Sequence, residues 1–414
     1  MTRLATIAPG RWTEETTGAI SHHTRNPKTM KKTLFAAIAG ALLAPAAWAQ
    51  SSVTLYGVVT SSIQYVNHVQ NTSNGVLAPG SGSAVFMNSS GIVQSRFGLR
   101  GVEELGGGLK SLFVLENQFN TDDGKMGNGG LLFGRQAFVG LQNQWGKVTF
   151  GRQYTSAFLT MGSFTPVAYA PEFEPVVGIA GPNFRENNVV QYQGTFGPLT
   201  AIAHWSFGER AGTFATGSAY GLGLSYSNGP LGIAAAYDEV KTLNTAQAAG
   251  TSGSNDYGRD MRAMLGASYR LGQVKMVAGY RWGNSVAPAT GTPTLLPHRD
   301  DMYWVGVNWD ATAALRLSLA YYYDDIKSAR IGGVTTNPKN PQQYLALADY
   351  SLSKRTDVFF AVNYARNASL NWDNITYLPN GQSVGYLPST SQVYYKTPDA
   401  SGQLGVSLGV RHIF

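Results

Sequence analysis

Every second residue is the pattern that governs this chain. Beyond residue 50, runs of about ten residues alternate apolar with small or polar side chains, and turn-rich stretches separate them. Val53, Leu55, Val59, Ile63 and Tyr65 share one face of the first run. Leu199, Ala201, Ala203, Trp205 and Phe207 share a face in another, and Leu315, Leu317, Leu319, Tyr321 and Tyr323 repeat the theme. The opposite faces carry residues such as Thr200, His204 and Ser206, or Arg316 and Ser318. No apolar stretch after residue 50 reaches the roughly eighteen residues that a spanning helix needs. Such a chain is predicted to be all-β.

Alternation alone fits two architectures. In a soluble sandwich the apolar face points into a core; in a membrane barrel it points out into lipid and the small, polar face meets water. The connections separate the two. Tight turns at 103–108, 143–146, 195–198, 228–230, 270–273, 310–314 and 353–356 alternate with long Gly/Ser/Asn/Pro-rich stretches at 67–90, 120–130, 154–183, 208–218, 242–260, 284–300, 328–341 and 367–400. Sixteen segments, seven short turns and eight long loops place both chain ends on one side, as an up-and-down outer-membrane barrel requires. Tyrosine and tryptophan crowd the ends of the runs, at Trp304, Trp309, Tyr350 and Tyr321 to Tyr323, where their amphipathic rings suit a lipid–water interface. Composition agrees: charged residues are 13% of the chain, against about 25% in ordinary globular proteins, and glycines number 49. Cysteine is absent, which removes thiolate catalysis and thiolate metal sites.

The N-terminus reads in two pieces. From Met30, "MKKTLFAAIAGALLAPAAWAQ" gives a Lys31-Lys32 positive region, a short apolar core and an Ala47-Trp48-Ala49 cleavage site. This predicts a signal peptide over 30–49, with 1–29 an extension upstream of the true start and 50–414 the barrel. Setting aside the six basic and two acidic residues of 1–49 lowers the formal charge from +7 to +3. No Lys/Arg run then remains to suggest a nucleic-acid partner. The final stretch, "GQLGVSLGVRHIF", alternates up to Phe414 itself. A closed barrel must pair its last strand with its first, because hydrocarbon tolerates no free edge.

The segments "SSVTLYGVV", "SRFGLRGVEELGGGLKSLFVLENQF", "FGRQAFVGLQNQWGKVTFGRQY", "ADYSLSKRTDVFFAVNY" and "LGVRHIF" resemble the Gram-negative general porins of the Burkholderia and Bordetella type over essentially all of 50–414. The resemblance implies a 16-stranded antiparallel transmembrane β-barrel in the outer membrane, assembled as a homotrimer. It also implies passive diffusion of ions and small hydrophilic solutes, with lipopolysaccharide and outer-membrane lipids as surroundings. Phe414 would be the signal read by the barrel assembly machinery.

A barrel this wide holds water, so selection needs a narrowing lined by charge. The loop at 154–183 carries apolar and aromatic residues unsuited to open solvent, and it is expected to fold inward as the third loop. Its Pro171-Glu172-Phe173 matches the family's third-loop motif, which implies Glu172 as an acidic constriction residue, with Glu174 as a second candidate. Ala168 stands where an acid often sits. Arg96, Arg135 and Arg185 match the family's basic ladder, and Arg152 is a fourth candidate. An arginine facing lipid would cost roughly 2–4 kcal/mol at mid-bilayer, which favours the lumen for all four. Arginines facing fewer carboxylates predict a preference for anions.

No catalytic constellation or metal-ligand spacing stands out, and no cofactor is implied. His204, His298 and His412 are scattered. The sequence reads as a channel and not as an enzyme. The alternatives are a substrate-selective organic-anion channel or, in a different class, an outer-membrane barrel adhesin or enzyme.

Overall fold

A computed structural model turns the alternating runs into strands. The structure describes residues 52–73, 76–181, 183–243, 257–286, 298–331, 334–370, 396–397 and 400–414. The expected extension and signal peptide lie outside the described residues.

In chain order the strands begin with β1 (Ser52–Ser73), β2 (Val76–Asn88), β3 (Arg96–Gly106), β4 (Leu109–Gln118), β5 (Gln136–Asn143) and β6 (Gly146–Tyr154). Next come β7 (Arg185–Phe196), β8 (Leu199–Ser206), β9 (Ala219–Asn228), β10 (Leu231–Leu243), β11 (Tyr257–Leu271) and β12 (Val274–Val286). The last are β13 (Arg299–Asp310), β14 (Leu315–Ile331), β15 (Val334–Thr336), β16 (Gln342–Ser351), β17 (Thr356–Arg366) and β18 (Gly402–Ile413). Two short helices, α1 (Ser156–Met161) and α2 (Val176–Ala180), lie between β6 and β7.

Sixteen of these strands form a closed antiparallel barrel. The two others are outgrowths: β2 pairs back on the far end of β1, and β15 on the far end of β14. Stretches 67–90 and 328–341, expected as loops, are therefore partly strand, because the hairpins continue past the barrel wall. The barrel closes by pairing β1 with β18, from Val58↔Ile413 to Val66↔Gly405. Phe414 continues that pairing beyond the strand: its N–H donates to Gly57 O at 3.0 Å, and its carbonyl accepts from Gly57 N–H at 3.1 Å.

The faces follow the sequence pattern. Val53, Leu55, Ile63, Leu222, Ile233, Leu319 and Leu408 are exposed, whereas Thr60, Ser62, Gln64, Ala234, Met264 and Ser407 on the other face are buried. Greasy side chains thus point outward over the whole circuit, which suits a barrel whose outer surface meets hydrocarbon. Among the described residues no helix is long and apolar enough to cross a membrane.

Candidate functional site: the constriction

The wall side of the site is built by strand parity. Phe97 and Leu99 are exposed on β3, so Arg96, Gly98 and Arg100 turn inward. Across the β3–β4 ladder, Arg96 lies opposite Gln118 and Gly98 opposite Glu116, which gives Glu116 the same inward parity. Glu116 is buried, and charges converge on it. Its Oε1 accepts from Arg135 Nε at 2.7 Å, its Oε2 lies 3.7 Å from Arg96 Nε, and Tyr56 OH donates to Oε2 at 3.0 Å. Arg135 also donates to Gln94 at 2.6 Å and to the Tyr154 hydroxyl oxygen at 2.5 Å. That oxygen accepts from Arg185 Nη2 as well, at 3.0 Å.

Arg96, Arg135 and Arg185 therefore form one cluster, held by Glu116 and Tyr154. Neither organiser was singled out from the sequence. The inward parity of Glu116, two positions before Gln118 and in register with the arginine strand, was the available signal. Arg152 does not join the cluster. It pairs in register with Ala137, and its guanidinium donates to Gly134 O and Asn187 Oδ1, both at 2.8 Å. The β6–β7 ladder shifts register between Gly151 and Gln153, so alternation does not carry past Phe150, and Arg152 lines a separate recess with Arg185, Glu186, Asn187 and Ser206.

The loop from Thr155 to Phe184 supplies the other side. Its bonds reach almost the whole circuit of the barrel. Trp304 Nε1 and Asn308 Nδ2 on β13 donate to Phe164 O and Pro166 O, Lys275 Nζ on β12 to Ser163 O, and Gln343 Nε2 on β16 to Phe173 O, at 2.7–2.9 Å. Only the lumen touches so many strands at once, so the third loop is folded inward. Its core is apolar: Met161, Phe164, Phe173 and Ile179 pack with Met264, Met302, Trp304, Tyr322 and Phe359 of the wall. Helix α1 lies so close to β9 that a Cβ at Gly223 would collide with Thr160.

The helix is capped by the Thr155 hydroxyl, which accepts from Phe158 N–H at 3.3 Å. It is anchored by His204, whose Nδ1 accepts from Ser156 N–H at 3.1 Å and lies 2.8 Å from Ser156 Oγ. Glu186 and Asp238 approach His204 Nε2 at 3.5 and 3.8 Å. A serine, a histidine and two acids thus meet, but Ser156 is fully buried beneath the helix and serves as an anchor point.

Glu172 and Glu174 sit elsewhere than the sequence reading placed them. Glu172 is 4% exposed and Glu174 0%, and each is enclosed by hydrogen-bond donors, whereas Arg96 keeps 29% of its side chain open to solvent. Glu172 accepts from Asn88 Nδ2 and Ser407 Oγ at 2.9 Å and from Ser62 Oγ at 3.1 Å. It docks the loop to β1, β2 and β18. Burial pushes its carboxyl up to about 7, against the donors from Ser407, Asn88 and Ser62. Glu174 accepts from the N–H groups of Val167, Tyr169 and Ala170 at 2.9, 2.5 and 3.2 Å, and from Tyr322 OH at 2.6 Å. It closes a turn within the loop and ties it to β14. Burial raises its carboxyl too, against those same donors. The physical reason for the difference is local: Ala168 and Tyr169 adopt φ of 55° and 62°, which reverses the chain and turns the following acids to the wall.

Between wall and loop lies a cavity of about 230 Å3, lined by Gln94, Arg96, Arg135, Tyr154 and Arg185 on one side and by Phe158, Tyr169, Pro171 and Val176 on the other. The arrangement can attract and orient an anion. Three guanidiniums face one carboxylate, and the loop carboxylates are withdrawn into hydrogen bonds.

Comparison with known proteins bears on what such a barrel is. The profile described as Gram-negative porin matches residues 35–370. An outer membrane porin protein of Bordetella pertussis is 34% identical over 380 residues, covering 82% of this chain and 95% of its own length. Outer membrane porin protein 32 of Delftia acidovorans is 30% identical over 400 residues, covering 93% of this chain and all of its own. Among solved structures, an anion-selective porin from Comamonas acidovorans superposes with a TM-score of 0.67 at 26% identity, covering 88% of this chain and 100% of that one.

Proposed function

The chain belongs to the Gram-negative porin family and is a general diffusion channel of the outer membrane, and on that premise we propose that the Arg96, Arg135 and Arg185 cluster makes the channel prefer anions. One observation carries the reading: of three clustered guanidiniums, Arg96 and Arg135 share the single carboxylate Glu116 and Arg185 has only the Tyr154 hydroxyl, while Glu172 and Glu174 are spent on docking the loop. The field across the narrowing is then largely of one sign. A low-dielectric wall focuses such a field and enriches the opposite ion. The anion-selective porin of Comamonas acidovorans supports the same direction.

In this reading the channel works as a homotrimer amid lipopolysaccharide, residues 30–49 are removed on export, and residues 1–29 precede the true start. The Phe414 ring, 42% exposed beside the seam, is the mark that the assembly machinery reads. The channel carries no catalytic step.

The test is the zero-current potential of the reconstituted channel across a KCl gradient. Its sign should report chloride as the more permeant ion, and conductance steps should come in threes. Cation preference in the unmodified channel would overturn the proposal.

A further inference from the structure

On the outer face of the barrel, Lys241 of β10 stands directly opposite Arg259 of β11. Both keep the outward parity of Ile233 and Leu265, which are exposed on the same two strands. Like charges set opposite one another destabilise a sheet, and an anion between them reverses the sign. Glu239 does not fill that place. Its Oε1 accepts from Arg259 Nε at 3.0 Å, and its Oε2 accepts from the Tyr220 and Tyr237 hydroxyls at 2.7 and 2.9 Å. Arg259 still leaves 47% of its side chain open. Lys241 Nζ lies 5.9 Å from the Trp205 ring centre and 5.6 Å from that of Tyr220, over two rings that stack 5.7 Å apart.

This patch lies where β10 and β11 enter a long connection, which is the extracellular end of such a barrel. Tyrosine and tryptophan mark the same level as the membrane interface. Below it on the same face runs a groove of about 630 Å3, with Ala235, Ala267 and Ala278 between Leu224, Leu265 and Tyr280. Register builds it. Ala267 lies opposite Ala278, and Ala235 lies between Leu224 and Leu265, so small outward side chains run beside large ones. From Ala235 to Lys241, β10 climbs about 20 Å at about 3.4 Å per residue. At a strand tilt of about 40° that is roughly 15 Å of depth, or one leaflet of a hydrocarbon core about 30 Å thick. A free anion would answer the cations and leave the groove empty, and a neutral lipid would do the reverse. A lipid with a phosphate at its head answers both.

We propose that this face binds a phosphorylated lipid of the outer leaflet, with its phosphate between Lys241 and Arg259 and one acyl chain in the groove over Ala235, Ala267 and Ala278. In the outer membrane that lipid is the lipid A anchor of lipopolysaccharide. The inference rests on the outer-membrane reading and gives that partner a fixed place outside the pore.

The experiment refolds the full channel in detergent, free of native lipid, and titrates it with lipid A under native mass spectrometry. A cation at a lipid surface is worth about fivefold in affinity, so lipid A should bind about thirtyfold more tightly than its dephosphorylated form. Lys241→Gln should cost about fivefold. Ala267→Phe fills the groove and should cost about tenfold, as losing roughly two buried methylenes does. Neither variant should alter KCl conductance. The phosphate comparison uses the unmodified channel, so it decides the matter even where a variant fails to refold. The proposal is overturned if dephosphorylated lipid A binds as tightly, or if inorganic phosphate displaces lipid A at equal concentration. It is also overturned if Ala267→Phe changes the number of chains in the assembly, which would give the groove to a second copy. A protein that opens no KCl channels would instead sink the porin reading.

Discussion

The two sides of the constriction use the same chemistry to opposite ends. On the wall, Glu116 gathers Arg96 and Arg135 and keeps their charge beside the cavity. On the loop, Glu172 and Glu174 collect neutral donors, hydroxyls and backbone N–H groups, and vanish from the water path. A carboxylate that binds a cation leaves its partner's charge in play. One that binds neutral dipoles is itself the charge, and burial pushes it toward protonation. The wall is thus the selective side and the loop the mechanical one.

The largest effect should come from emptying the wall. Changing Arg96, Arg135 and Arg185 together to alanine should lower the chloride-to-potassium permeability ratio by about tenfold; an unchanged zero-current potential would break the comparison. Next, Glu116→Gln should leave Arg135 buried without its countercharge. Breaking a buried pair costs about 3–5 kcal/mol, which unfolding in denaturant should show, while anion preference rises. An unchanged anion preference would mean that Glu116 contributes nothing to restraining the field, and a loss of preference that it is what holds the arginines at the cavity.

Glu174→Ala should loosen the loop, by about 1–3 kcal/mol for its unsatisfied donors, and appear as noisier open-channel current with little change in selectivity. For Glu172 the sign follows from its raised carboxyl. The folded value of about 7 exceeds the ordinary value of about 4.3. The docked loop binds more protons than the free one between these limits, so docking is strongest below about pH 4.3 and weakens as pH rises through 7. Glu172→Gln should flatten that dependence, read as loop cleavage by protease against pH. The smallest effect belongs to Arg152→Gln, which should leave the permeability ratio where it was.

The barrel and its closure were legible because alternation is a two-valued code: once Phe97 and Leu99 point out, Arg96 points in. Arg96, Arg135 and Arg185 all came through the family resemblance, and the structure brings the three together. Glu116 was equally readable by parity, yet its stretch "LENQF" drew no attention as a strand end. The loop acids were not readable. Their direction depends on two left-handed residues, Ala168 and Tyr169, neither of which is a glycine that would have announced the turn. Arg152 misled for a different reason. The β6–β7 ladder shifts register between Gly151 and Gln153, so alternation gives no direction for Arg152, and its guanidinium goes to Gly134 O and Asn187 Oδ1 instead of the cluster.

Ser62 and Ser407 belong to the first strand and the last, and Gln64 stands opposite Ser407 across the seam. The hydroxyls that receive Glu172 come together only once the cylinder has been shut. An unfinished barrel thus offers only half of the Glu172 receptor, and the acid acts as a clasp that both holds the plug and bridges the joint between the first strand and the last.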